Sequence, residues 1–229
     1  MEHEPLLLPQ SKTKLLWCWM AFQYLLLPQL VSLAAGLLFP AVSDSFVNFL
    51  HHLSSFLGVF LILRVYLRDS FRWAATHPKR CASVCVLSLA VYYAATWAVS
   101  LAIAHLEPTF ANRNDETIFR LRQEGLAWTA ISTIFLAPLS EECLFRGLIF
   151  GQTLKKSRMG AYALSAVCFA LIHVMGYLGT YTPLQLVLSL VQYLPAGLVL
   201  AWSYEKSGTI AAPILIHMTI NAVSMVQII

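Results

Sequence analysis

Residues 159–204, MGAYALSAVCFALIHVMGYLGTYTPLQLVLSLVQYLPAGLVLAWSY, contain no Asp, Glu, Lys or Arg. A helix that crosses a bilayer needs about 20 apolar residues, so this stretch holds two of them. Gly176, Gly179 and Pro183 supply the break between the two. Working outward, Leu15–Ser43, Ser45–Leu63, Cys81–Leu106 and Ser207–Ile229 are equally free of charge. A further apolar run from Gly125 to Gly151 is interrupted only by Glu141, Glu142 and Arg146. Period-2 alternation is absent, and in lipid a helix satisfies its backbone groups within the segment. The pattern therefore predicts an all-α integral membrane protein with seven helices, at 15–39, 46–67, 82–106, 126–151, 160–178, 183–204 and 209–228.

Composition agrees. The chain is 59% hydrophobic and 11% charged, against about 25% charged in a soluble domain. Disorder, nucleic-acid binding and a disulfide scaffold are excluded as classes. The net charge of +4 reflects loop lysines and arginines near lipid. Five cysteines, Cys18, Cys81, Cys85, Cys143 and Cys168, lie in or beside apolar runs and read as free thiols. The loops then set a topology. Lys12, Lys14, Arg68, Arg72, Lys79, Arg80, Lys155, Lys156, Arg158 and Lys206 fall on one side. Arg113, Arg120 and Arg122 fall on the other, among Glu107, Asp115, Glu116 and Glu124. Basic loops stay cytoplasmic, which predicts an inner amino terminus and an outer carboxyl terminus. Residues 112–124 are the one sizeable polar insert; Ile118, Phe119 and Leu121 suggest a short interfacial helix, and an ordinary solvated loop is the equal alternative.

Ionisable groups inside spans need a reason, since each costs about 2.5–3.5 kcal/mol at the bilayer centre. Three helices carry them. Glu142 and Arg146 are four apart and can pair, whereas Glu141 is turned away by about 100°. Phe169 and His173 repeat the four-residue spacing, as do His217 and Asn221. Counted from the basic ends of their helices, Glu141, His173 and His217 come to similar depths, which puts one pocket in the cytoplasmic half of the membrane. A carboxylate with two imidazoles in a partly dry cavity suits hydrolysis. Glu141 is placed as general base, His173 can share its water, and His217 and Asn221 are donors for a developing oxyanion. Other features have plainer readings. Gly147 and Gly151 form a packing notch, and His51, His52 and His105 read as interfacial or packing residues without a partner at helical spacing. His77 belongs to a basic loop, and Trp17, Trp19, Trp73 and Trp128 to aromatic belts.

Glu141-Glu142-x-x-x-Arg146, Phe169-x-x-x-His173 and His217-x-x-x-Asn221, in that order on successive apolar helices, resemble the CPBP intramembrane proteases. That family includes the eukaryotic type II CAAX prenyl endopeptidases and the bacterial Abi-type proteins. The resemblance covers roughly residues 125–225 and divides the chain into an N-terminal three-helix region with its outer loop, 1–124, and a catalytic core in the last four helices, 125–229. It implies an endopeptidase acting on a membrane-associated peptide or protein at the bilayer, with no nucleic-acid partner. It also implies that Glu141 and His173 activate water, that His217 and Asn221 bind the oxyanion, and that Arg146 holds Glu142, itself a second catalytic carboxylate. A metal-free reaction is the preferred reading, because Asn221 beside His217 suits an oxyanion better than a metal shell. The other reading is a zinc ion on Glu141, His173 and His217. The competing function is a non-catalytic bacteriocin-immunity or accessory protein that uses the same polar cavity. No residue pattern sets an oligomeric state.

Overall fold

The computed structural model describes residues 5–39 and 41–227, and among these every regular element is helical. Helices α1 (Gln10–Leu25) and α2 (Leu27–Leu38) form the first rod, followed by α3 (Asp44–Thr76), α4 (Pro78–Leu106) and the short α5 (Arg113–Glu124). A continuous rod over 126–154, here α6, precedes α7 (Arg158–Val174), α8 (Pro183–Ser207) and α9 (Ala211–Gln227). The seven expected helices are each present as a rod. The expected end of the last, at residue 228, lies outside the described residues. By length and composition four helices can cross a membrane, or five if α1 and α2 make one span. The other two fall short for physical reasons: α6 carries Glu141, Glu142 and Arg146 and changes helical type along its length, and α9 is short. Large apolar side chains such as Leu37, Leu61, Val86 and Trp97 face outward, as lipid requires.

Two boundaries differ from expectation, both at proline. The first rod bends by 54° at Leu26. Pro28 in the opening turn of α2 has no N–H and crowds the preceding turn. The expected basic loop between the second and third rods is almost wholly helical. Only His77 separates α3 from α4, because Pro78 pushes the residue before it out of helical geometry. The Trp73 ring stacks on His77 at 3.7 Å and caps the junction. The polar insert is helical, which decides between its two readings. Asn112 caps α5 by accepting from the N–H groups of Asn114 and Asp115.

Alternate connections gather at opposite ends of the bundle. At the basic end, Arg80 Nε donates to the Lys206 carbonyl at 2.8 Å and Thr209 Oγ1 to the Ser70 carbonyl at 2.8 Å. The N-terminal segment is tied there too. The Leu6 N–H donates to Gly208 O at 3.0 Å, and the Leu6 carbonyl accepts from Tyr66 at 3.0 Å and Tyr204 at 2.7 Å. Gly208, at φ +82°, ends α8 in a left-handed turn that glycine adopts without strain. Leu8 and Leu7 lie against Gly147 and Gly151, so the expected notch receives the chain's own leading segment. At the other end Arg120 bonds Asp44 at 2.7 Å, and Tyr177 donates to Thr117 at 2.9 Å. One apolar core spans both halves: Leu16, Val59 and Leu63 pack with Cys143, Leu144, Leu148 and Tyr204.

Candidate active site

Helix α6 is the spine of the site, and it is not a plain α-helix. Segments Ile131–Leu136 and Cys143–Phe150 are π-helical, with α-helical Ala137–Glu142 between them. Such wide turns are rare and often mark functional sites. Here the local cause is visible. The Ala137 N–H bonds back to the Ser132 carbonyl, so the ladder has slipped by one residue. The next donor in that ladder is missing because residue 138 is proline. The Thr133 carbonyl is thereby left over, and Asn221 Nδ2 of α9 donates to it at 2.8 Å. Asn221 thus bridges two helices with one of its two amide hydrogens.

Glu142 and Arg146 pair as their spacing required. Arg146 Nη1 donates to Glu142 Oε1 at 3.0 Å, and both side chains are wholly buried. Two charges removed from water need further partners. Arg146 Nη2 donates to the Gly197 carbonyl at 3.1 Å, and its guanidinium lies 4.4 Å from the centre of the Phe169 ring. Gly197 has no side chain to intervene: a Cβ there would come within 2.8 Å of Ala166 Cα, which α7 packs tightly against α8. His217 Nδ1 donates to the same Glu142 Oε1 at 2.7 Å. That contact joins α9 to α6, and the helical spacing of either segment alone could not reveal it.

His173 Nδ1 lies 2.8 Å from the Phe169 carbonyl, which can only accept, so Nδ1 carries the proton and Nε2 is left with a lone pair. Phe169 sits between the two imidazoles, 4.6 Å from His173 and 5.6 Å from His217, and serves as a spacer. Glu141 is nine-tenths buried, and its Oε2 has no hydrogen-bond partner. Glu141, His173, His217 and Asn221 all line one cavity of about 480 Å³. Glu142 and Arg146 do not line it, and reach it only through His217 and Phe169. No group of three His, Cys, Asp or Glu side chains among the described residues is gathered closely enough to hold a metal ion. Glu141, His173 and His217 line the cavity without forming such a group.

Two expectations are corrected. His51 and His52 of α3 are not peripheral: both line the cavity, their rings are 5.0 Å apart, and the His51 Nε2 is buried with no partner. Their neighbours lie on other helices, so a search along one helix missed them. The pocket also does not close within the basic half of the bundle. Tyr193 stacks on His173 at 4.5 Å, and Asn112 at the head of α5 donates to Gln192 at 2.8 Å and Tyr193 at 3.2 Å. The cavity therefore extends to α5, at the end remote from the basic loops. Counting depth from helix ends could not register that α5 folds back over these helices.

A buried glutamate, two imidazoles and a carboxamide thus meet inside a bundle of apolar helices. Residues 123–223 match the family described as Type II CAAX prenyl endopeptidase Rce1-like. The chain is also 33% identical over 86 residues to the UPF0177 protein YxdF of Lactococcus lactis subsp. lactis (strain IL1403), which is 38% of this chain and 42% of that relative. The chain thus spans less than half the length of the curated relative it matches. No solved structure matches. The resemblance drawn from the three motifs is borne out: residues 123–223 are similar to the Rce1-like CAAX endopeptidase family.

Proposed function

We propose that this protein is an intramembrane endopeptidase that cleaves a membrane-associated peptide or protein by metal-free hydrolysis. Glu141, helped by the free Nε2 of His173, takes a proton from water as its oxygen attacks the peptide carbonyl. The carbonyl electrons move onto oxygen, which is received by His217 Nε2–H and the second amide hydrogen of Asn221. The Nδ1–H bond to Glu142 fixes the His217 ring for this role, and donation from Nε2 requires a proton on that nitrogen as well. When the C–N bond breaks, the proton held by Glu141 passes to the departing amine. Glu142 and Arg146 act as positioning residues. The observation that carries this reading is the convergence of Glu141, His173, His217 and Asn221 on one cavity. Glu141 and Glu142 each have one unpartnered oxygen, but Glu141 alone of the two lines the cavity, which favours it for the chemistry. Relatives described as CAAX prenyl endopeptidases make a prenylated peptide one substrate to try.

The test uses the protein in lipid nanodiscs with prenylated and unmodified peptides in water enriched in heavy oxygen. Mass spectrometry is expected to find one heavy oxygen at each new carboxyl terminus, and His173→Ala is expected to abolish the product. Absence of product with a peptide that demonstrably binds would overturn the reading. The loop charges further support a cytoplasmic amino terminus and an outer carboxyl terminus, with the α5 end of the cavity outside. A membrane-impermeant maleimide should then label Thr109→Cys in intact cells and Lys156→Cys only after permeabilisation; the reverse pattern would refute this orientation.

A further inference from the structure

The cavity lining contains two carboxylates, Glu141 and Asp115, and neither Lys nor Arg. Glu141 has a place in the chemistry proposed above. Asp115 has none. It sits in the first turn of α5, at the exposed end of the cavity, and its carboxylate has no hydrogen-bond or ion-pair partner among the described residues. The neighbouring cations are otherwise engaged: Arg113 pairs with Glu116 at 2.8 Å, and Arg120 with Asp44 and Glu124 at 2.7 and 2.9 Å. Arg122, two turns further along α5, does not line the cavity. A carboxylate early in a helix also suits the helix dipole, but Asn112 and Glu116 already serve that end, and neither explains why Asp115 borders the cavity. Around it stand Tyr92 of α4, Tyr177 after α7 and Tyr193 of α8, each within electrostatic reach of its charge. An unpaired carboxylate among phenol rings is the environment that receives ammonium or guanidinium groups.

We propose that the α5 end of the cavity is a cation subsite, in which Asp115, with Tyr92 and Tyr193 in the same cavity wall, receives a positively charged group of the substrate peptide. The subsite deepens the endopeptidase reading and rests on it. Its place relative to the chemistry follows from contacts. His173 stacks on Tyr193, Tyr193 donates to Asn112, and Asn112 accepts from the Asp115 N–H. An extended peptide advances roughly 3.3–3.6 Å per residue, so the charge falls within about four residues of the scissile bond. A mouth of this sign also attracts cationic peptides at low ionic strength.

The experiment measures equilibrium binding, so turnover is not required. Glu141→Gln protein in nanodiscs of zwitterionic lipid is titrated with acetylated fluorescent peptides that differ at one position: Lys, norleucine or Glu. A norleucine peptide with a free amino terminus distinguishes a terminal ammonium from a side-chain cation as the source. One of the two cationic forms is expected to bind roughly tenfold more tightly than the neutral acetylated peptide, a difference of about 1.4 kcal/mol. That ratio is expected to fall to within about twofold in 0.5 M salt and in Asp115→Asn, and to invert in favour of the Glu peptide in Asp115→Lys. Equal affinity for cationic, neutral and anionic peptides would overturn the subsite, as would a Lys preference unchanged by Asp115→Lys. Binding and hydrolysis fail separately: a preference without cleavage by the wild type removes the protease, and cleavage without a preference removes the subsite.

Discussion

Glu141→Gln is expected to lower turnover by about a hundred- to ten-thousandfold while the protein still folds and binds peptide. A positioned general base contributes roughly that much, and the amide keeps the size of the carboxylate while losing its basicity. The environment makes this a clean experiment. Glu141 Oε2 has no partner, so no structural bond is lost by the exchange. His173 still offers Nε2, and a residual rate above background is expected from it and from the oxyanion donors. Single-turnover kinetics on the purified variant, with a melting curve beside them, provide the check. Activity within threefold of the parent would remove Glu141 from the chemistry.

Arg146→Met should destabilise the fold instead, by about 3–5 kcal/mol, because it strands the buried Glu142 charge. The guanidinium bonds Glu142 and Gly197 and lies over Phe169, so its loss disturbs three helices together. Adding Glu142→Gln removes the stranded charge, and the double variant is expected to recover a large part of that loss. It should not recover full activity, because the His217 imidazole has its hydrogen bond among the described residues with Glu142. Denaturant titration in mixed micelles reads both numbers. A single variant as stable as the parent would mean that the pair contributes nothing net to folding.

Much of this site is written in spacing along single helices. Glu142 with Arg146 and His173 with the Phe169 carbonyl are contacts at four residues, and the charge-free runs placed every rod. Contacts between helices were not legible. Nothing in the local sequence states that His217 reaches Glu142 or that Tyr193 covers His173. His51 and His52 follow the same rule: on α3 they have no mate, yet they share a cavity with residues of α1 and of α4 to α9. The bend before Pro28 and the break at His77 were recoverable, since proline in an apolar or basic run interrupts a helix. The slipped ladder of α6 had a visible trace in Pro138, but which carbonyl it would orphan, and that Asn221 would answer it, depended on where α9 packs.

The histidine pair of α3 and the phenols of α1 and α4 border the cavity from residues that precede the family match at 123. Part of the proposed selecting wall, Asp115 and Tyr92, therefore lies outside the stretch that holds the proposed reactive groups, while Tyr193 lies within it. Exchanging the leading helices between kindred proteins could retune which peptides are admitted while the hydrolytic apparatus stays as it is.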